Sequence, residues 1–139
     1  MSASDGPEAT AAIAEALAAG LRPGDVVLVE GEVGAGKTTF VRAAARALGV
    51  TERVTSPTFT IGRRYDSGRV GVSHLDLHRL DGLAGEDPAL LEDYVTADRV
   101  TFVEWPGVGE AELGELGRVV ARVRLEHRGG DRREVEVLR

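Results

Sequence analysis

No cysteine occurs in the 139 residues. Disulfides, thiolate metal sites and cysteine nucleophiles are thereby excluded, and a reducing compartment suits the chain. The opening, "MSASDGPEATAAIAEALAAG", lacks a basic end followed by an apolar run, and its periodic alanines with Ile13 and Leu17 read as an ordinary helix. No apolar stretch approaches the length that spans a bilayer. These absences predict a soluble, cytoplasmic protein with no membrane contact. Positive charge is also short: the formal balance is -6, which argues against broad gripping of a phosphate backbone. Any meeting with nucleic acid is expected to be local or made through a partner. Lysine is scarcer still. Of the 17 basic residues a single one, Lys37, is lysine, and the rest are arginine.

No internal repeat and no long linker interrupts the chain, which is expected to form one domain over residues 1–139. That length buries roughly two-thirds of the surface its unfolded form exposes. Pro7 suits a helix start and Gly20 its end, so the first helix is placed at about residues 8–19. "DVVLVE" is apolar without alternation and reads as a strand buried on both faces. Phe40, Val41, Ala44, Ala45 and Leu48 recur at helical spacing from Lys37 up to Gly49. "FTIGRRY" and "RVGVSHLDL", parted by Asp66-Ser67-Gly68, predict a hairpin. Asp87 and Pro88 can cap and start a helix through Tyr94, with Leu90, Leu91 and Tyr94 on its buried side. "RVTFVEW" reads as an interior strand ending in an acid, and the glycine-rich stretch 107–117 as a surface loop. "RVVARVRLE" and "REVEVLR" predict a second hairpin. Strands interleaved with helices imply an α/β fold whose mixed sheet has a parallel core and antiparallel hairpin additions.

"GEVGAGKT", Gly31 to Thr38, satisfies G-x-x-x-x-G-K-[ST] between a strand and a helix, the context that motif requires. Gly31, Gly34 and Gly36 let the backbone turn sharply and bring N–H groups to phosphate oxygens where a β-carbon would intrude. The helix then starts at the phosphates with the positive end of its dipole. Glu32, Val33, Gly34, Ala35, Gly36, Lys37, Thr38 and Thr39 are the candidate nucleotide-binding residues of this loop. Lys37 can reach the β and γ oxygens as a compact charge, and the Thr38 hydroxyl can ligate magnesium. Arginine's wide planar fork does not fit inside a closed loop of amides, which accounts for a lysine here and arginines elsewhere. The pattern predicts a three-layer P-loop NTPase-like fold with a triphosphate and Mg2+ as its ligands.

Magnesium on a triphosphate also needs carboxylate help from a neighbouring strand end. Asp76 in "SHLDLHR" and Glu104 in "TFVEW" both qualify, and both are candidate catalytic and metal residues with Lys37 and Thr38. For Asp76 a solvated or Arg79-paired carboxylate is an equally good reading. "VTSPTFT" is a polar loop whose Ser56 and Thr58 can sense a γ-phosphate or serve ordinary turn chemistry. His74, His78 and His127 form no metal pattern, and His74 reads as a packed or hydrogen-bonded strand residue. Trp105 reads as a core or lid residue.

"GEVGAGKTTF", "TSPTFT", "HLDLHRL" and "VEWP", in this order in one small chain, resemble the TsaE family, small P-loop ATPases of bacterial tRNA threonylcarbamoyladenosine biosynthesis. The resemblance covers nearly the whole chain. It implies that Lys37 and Thr38 bind phosphate and magnesium, that Asp76 and Glu104 lie near the metal and the attacking water, and that Thr58 sits in a switch-like loop. It implies too that Trp105 matters for nucleotide hydrolysis or partner contact. The family usually has tyrosine where this chain has His78, which puts a role for the phenol in doubt and leaves Asp76 and Arg79 in place. The resemblance further implies action with the partners TsaD and TsaB, tRNA being met only indirectly, and ATP hydrolysis that resets their complex. A small-molecule kinase shares the loop and fold but calls for an acceptor pocket and a closing lid, and no lid-sized insertion is visible. A GTPase calls for Asn-Lys-x-Asp, and no second lysine exists. A non-hydrolytic ATP-dependent assembly switch is the rival of a different class. Arg63, Arg64 and Arg79 are candidates for stabilising charge on the phosphates.

Overall fold

Val26 to Val29 are fully buried. In the computed structural model, which describes residues 2–4, 6–31, 36–55, 62–77, 89–104, 110–127 and 133–138, they form the middle of β2 (Asp25–Gly31). An apolar run without alternation offers water no polar face, so such a strand needs cover on both sides and neighbours on both edges. Parallel strands take the edges, β5 (Arg99–Glu104) on one side and β6 (Arg118–His127) on the other. β4 (Gly71–Asp76) extends the parallel set beyond β5. Antiparallel strands complete the sheet: β3 (Gly62–Tyr65) beside β4, β7 (Arg133–Leu138) beside β6, and β1 (Ser2–Ser4) beside β7. The order across the seven strands is β1-β7-β6-β2-β5-β4-β3.

Helices cover the two faces, giving three layers. On one face α1 (Pro7–Ala18) and α2 (Lys37–Ala47) bring Ala14, Leu17, Phe40, Val41, Ala44 and Ala45 onto Val27, Val29, Val100, Phe102 and Val123. These helical residues recur at three- and four-residue spacing, the period that puts side chains on one stripe. Each large aliphatic or aromatic side chain so buried contributes about 1.5–3 kcal/mol. On the other face Leu91 of α3 (Ala89–Glu92), Val95 and Leu113 of α4 (Glu110–Leu116) pack on Val26, Leu28, Leu75 and Val103.

Both expected hairpins form, and the parallel core is as read from the apolar runs. Three particulars differ. The stretch 107–117, expected to be a surface loop, contains α4, because Leu113 finds a buried place and the surrounding Glu, Ala and Leu are good helix formers. The helix expected through Tyr94 is the single turn α3, whose Leu91 carbonyl accepts from Tyr94 and Val95 N–H at 3.0 and 2.9 Å. Asp87 and Pro88 lie outside the described residues. β1 was not expected at all, since Ser-Ala-Ser carries no strand pattern and owes its form to the free edge of β7.

Among the described residues no helix is long and apolar enough to cross a membrane. Because β2, β4 and β5 run parallel, Gly31, Asp76 and Glu104 end their strands at the same edge of the sheet.

Candidate functional site

Gly36 stands immediately before α2 with φ 97°, a left-handed conformation that costs other L-residues about 1–2 kcal/mol. The helix starts there without a side-chain cap, and its first internal bond runs from Phe40 N–H to the Gly36 carbonyl at 2.9 Å. The dipole and amides of the first turn are thus directed toward the carboxyl edge of the sheet. The Lys37 Nζ donates to the Gly31 carbonyl at 2.6 Å. That bond ties the end of β2 to the start of α2.

Asp76 and Glu104 are register partners on the parallel pair β4–β5, and Glu104 is also the register partner of Val29 on β2. Adjacent strands lie about 4.8 Å apart, so alternation brings both acids to one place. They share their face with Val72, Val100, Phe102 and Val29, the face covered by α1 and α2. Lys37, Asp76 and Glu104 are all buried, at 6, 8 and 2% exposure. Burial pushes the Lys37 ammonium below its ordinary pKa of 10.5, while Glu104 and then Asp76 pull it back up. The lysine therefore feels both acids, Glu104 more strongly.

The cluster carries, formally, one positive and two negative charges. Oxygen donors with excess negative charge suit a hard cation such as magnesium. Among the described residues no three or more His, Asp or Glu side chains form a metal cage. A cation here would accordingly draw on Asp76, Glu104 and the Thr38 hydroxyl, with phosphate oxygens and water completing its shell. Thr38 and Thr39 stand half-buried in the first turn of α2.

His74 completes the group. It is fully buried two residues before Asp76, and its Nε2 hydrogen-bonds the Glu104 carboxylate. The expectation of a hydrogen-bonded strand residue is met, but its partner was not foreseen. The signal available was alternation, which places residues 74 and 76 on one face.

The two arginines of β3 part ways. Arg63 stands opposite His74 in register and is exposed, whereas Arg64 stands opposite Ser73 on the other face. There the Arg64 guanidinium lies 5.9 Å from the Tyr94 ring centroid and donates to the Asp93 carbonyl at 3.4 Å. The expected site residues Glu32, Val33, Gly34, Ala35, Thr58 and Trp105 lie outside the described residues, as do Ser56, His78 and Arg79.

A parallel strand, a glycine-led helix start with its lysine, and two acids on the adjoining strand ends stand together in a three-layer mixed α/β fold of the P-loop NTPase-like kind. The family model described as "Threonylcarbamoyl adenosine biosynthesis protein TsaE" matches residues 4–135. The chain belongs to the TsaE family. It is 40% identical over 129 residues to the tRNA threonylcarbamoyladenosine biosynthesis protein TsaE of Bacillus subtilis, covering 93% of this chain and 78% of that protein. The protein of the same name from Streptomyces coelicolor is 42% identical over 113 residues, 80% of this chain and 74% of its own. A crystal structure of YdiB from Bacillus subtilis superposes with a TM-score of 0.76 at 35% identity, covering 96% of this chain and 80% of that one.

Proposed function

We propose that this protein binds ATP with magnesium and hydrolyses it to ADP and phosphate, in support of tRNA threonylcarbamoyladenosine formation by TsaD and TsaB. The observation that carries this reading is the buried lysine at the start of α2 set against two register-paired acids. Lys37 neutralises charge on the β- and γ-phosphates, and the start of α2 receives the phosphate oxygens. Thr38 with Asp76 holds magnesium, which when bound neutralises charge growing on the phosphate oxygens. Glu104 orients the attacking water, accepting its hydrogen bond on the α2 face. Because phosphoryl transfer is mostly positioning and charge stabilisation, one small domain over residues 1–139 suffices for this chemistry. Support from the comparisons lies in the relatives' names, which place them in the biosynthesis of this modified nucleoside.

Phosphate release from Mg-ATP, measured with purified protein alone and with TsaD and TsaB, tests the reading. E104Q is expected to lower kcat by about 10²–10⁴-fold while ATP still binds. K37A is expected to weaken ATP binding by roughly ten- to a hundredfold, the loss of a charged hydrogen bond. Repeated tRNA modification at the normal rate by E104Q would leave an assembly switch as the better description. Phosphate transfer to a small acceptor without release would favour a kinase.

A further inference from the structure

His74 has no part in the chemistry above, yet it sits at its centre. A buried histidine is most often a packed core residue, but packing alone accounts poorly for this one. Its Nδ1 is buried without a hydrogen-bond partner among the described residues, a defect that leucine in the same strand would not create. Its other nitrogen is spent on Glu104. A carboxylate only accepts, so Nε2 carries the proton and donates.

The direction of that bond matters. His74 is the register partner of Phe102, and Asp76 that of Glu104, so the contact runs diagonally, back toward the start of β5. Glutamate has three side-chain torsions, and Lys37 attracts Glu104 more strongly than it attracts Asp76. Without a restraint those torsions leave the Glu104 carboxylate no single fixed direction within the site.

We propose that His74 is a positioning residue, which holds one oxygen of Glu104 and so keeps the other directed to the water or metal position beside Lys37. Glu104 thereby acts on the site through its other oxygen. This inference rests on the reading of Glu104 as the water-orienting acid.

H74L and H74Q test it. Leucine removes the donor and fills the space, whereas the glutamine amide can reach the place of Nε2. H74L is expected to bind ADP in EDTA within about twofold of the wild type and to lose ten- to a hundredfold in kcat or in Mn2+ affinity, the usual cost of losing such a partner. H74Q is expected to recover most of that loss. Wild-type kcat and Mn2+ affinity in H74L would overturn the proposal, as would equal impairment of H74L and H74Q when both melt with the wild type. A spectroscopic arm stands if the variants fail to fold: imidazole ¹⁵N shifts of the wild type are expected to show Nε2 protonated, with a response to E104Q. Protonation on Nδ1, or no response to E104Q, would refute it. The two readings fail differently. No phosphate release by the wild type with its partners removes the proposed function and this inference with it. A dead E104Q beside an H74L with wild-type kcat and Mn2+ affinity removes this inference alone.

Discussion

Lys37 shows how much one side chain can owe to position. Buried and crowded by the sheet, its ammonium is held below the ordinary lysine range, with Glu104 and then Asp76 opposing that shift. A phosphate would add negative charge and raise the pKa again. Binding at a pH between the lowered value and the restored one must therefore take up a proton, and affinity must fall as pH rises through the lowered value. Calorimetry of ADP binding in two buffers of different ionisation enthalpy, over an alkaline pH series, is expected to show this uptake. The uptake should vanish in K37M, and its persistence there would assign it to another group. The identity of the lysine and its place in the glycine loop were readable from spacing, because the motif is local. Its bond to the Gly31 carbonyl was not readable, and the two acids expected near it became register partners only through the pairing of strands far along the chain.

At the level of elements, α4 is the instructive case. Gly114 and Gly117 made its segment read as a loop, yet the two glycines have opposite surroundings. A β-carbon at Gly114 meets nothing within 4 Å, whereas one at Gly117 would lie 2.8 Å from Val26 Cγ2 and 3.0 Å from the Gly24 carbonyl oxygen. At Gly117 the chain crosses close over β2, where Arg118 N–H donates to the Gly24 carbonyl at 2.9 Å as β6 begins. G117A is expected to lower the free energy of unfolding by about 1–3 kcal/mol through overpacking. G114A, on the exposed side of the helix, is expected to raise it by about 0.5–1 kcal/mol. Urea denaturation of both variants checks the pair, and equal effects would show that the approach to β2 does not govern this segment. The long apolar elements were legible for the converse reason. β2, β5 and α2 bury unbroken or strictly periodic sets, so their patterns admit few other solutions.

The whole molecule is acidic, with a formal charge of -6. Its described ion pairs consume several arginines, Arg122 with Glu30 and Glu110, Arg118 with Asp25, and Arg99 with Asp66. Counterion release, the main source of sequence-independent affinity for nucleic acid, is correspondingly weak for such a surface. The protein alone is therefore expected to leave the electrophoretic mobility of tRNA unchanged at about 150 mM salt. A retarded band appearing only with TsaD and TsaB present fits the proposed indirect role, and tight binding of tRNA by the isolated chain contradicts it.

By itself the sequence determined the strand, glycine loop and helix, the parallel core and the hairpins. These follow from short-range rules of hydrophobic period, glycine conformation and turn chemistry. Tertiary structure decided that Asp76 and Glu104 stand side by side, that His74 binds Glu104, that Arg64 turns away from the site while Arg63 keeps to its face, and that Ser2–Ser4 joins the sheet. The reason is register. How two strands slide against each other is settled by the joint packing of both sheet faces, which no single segment contains.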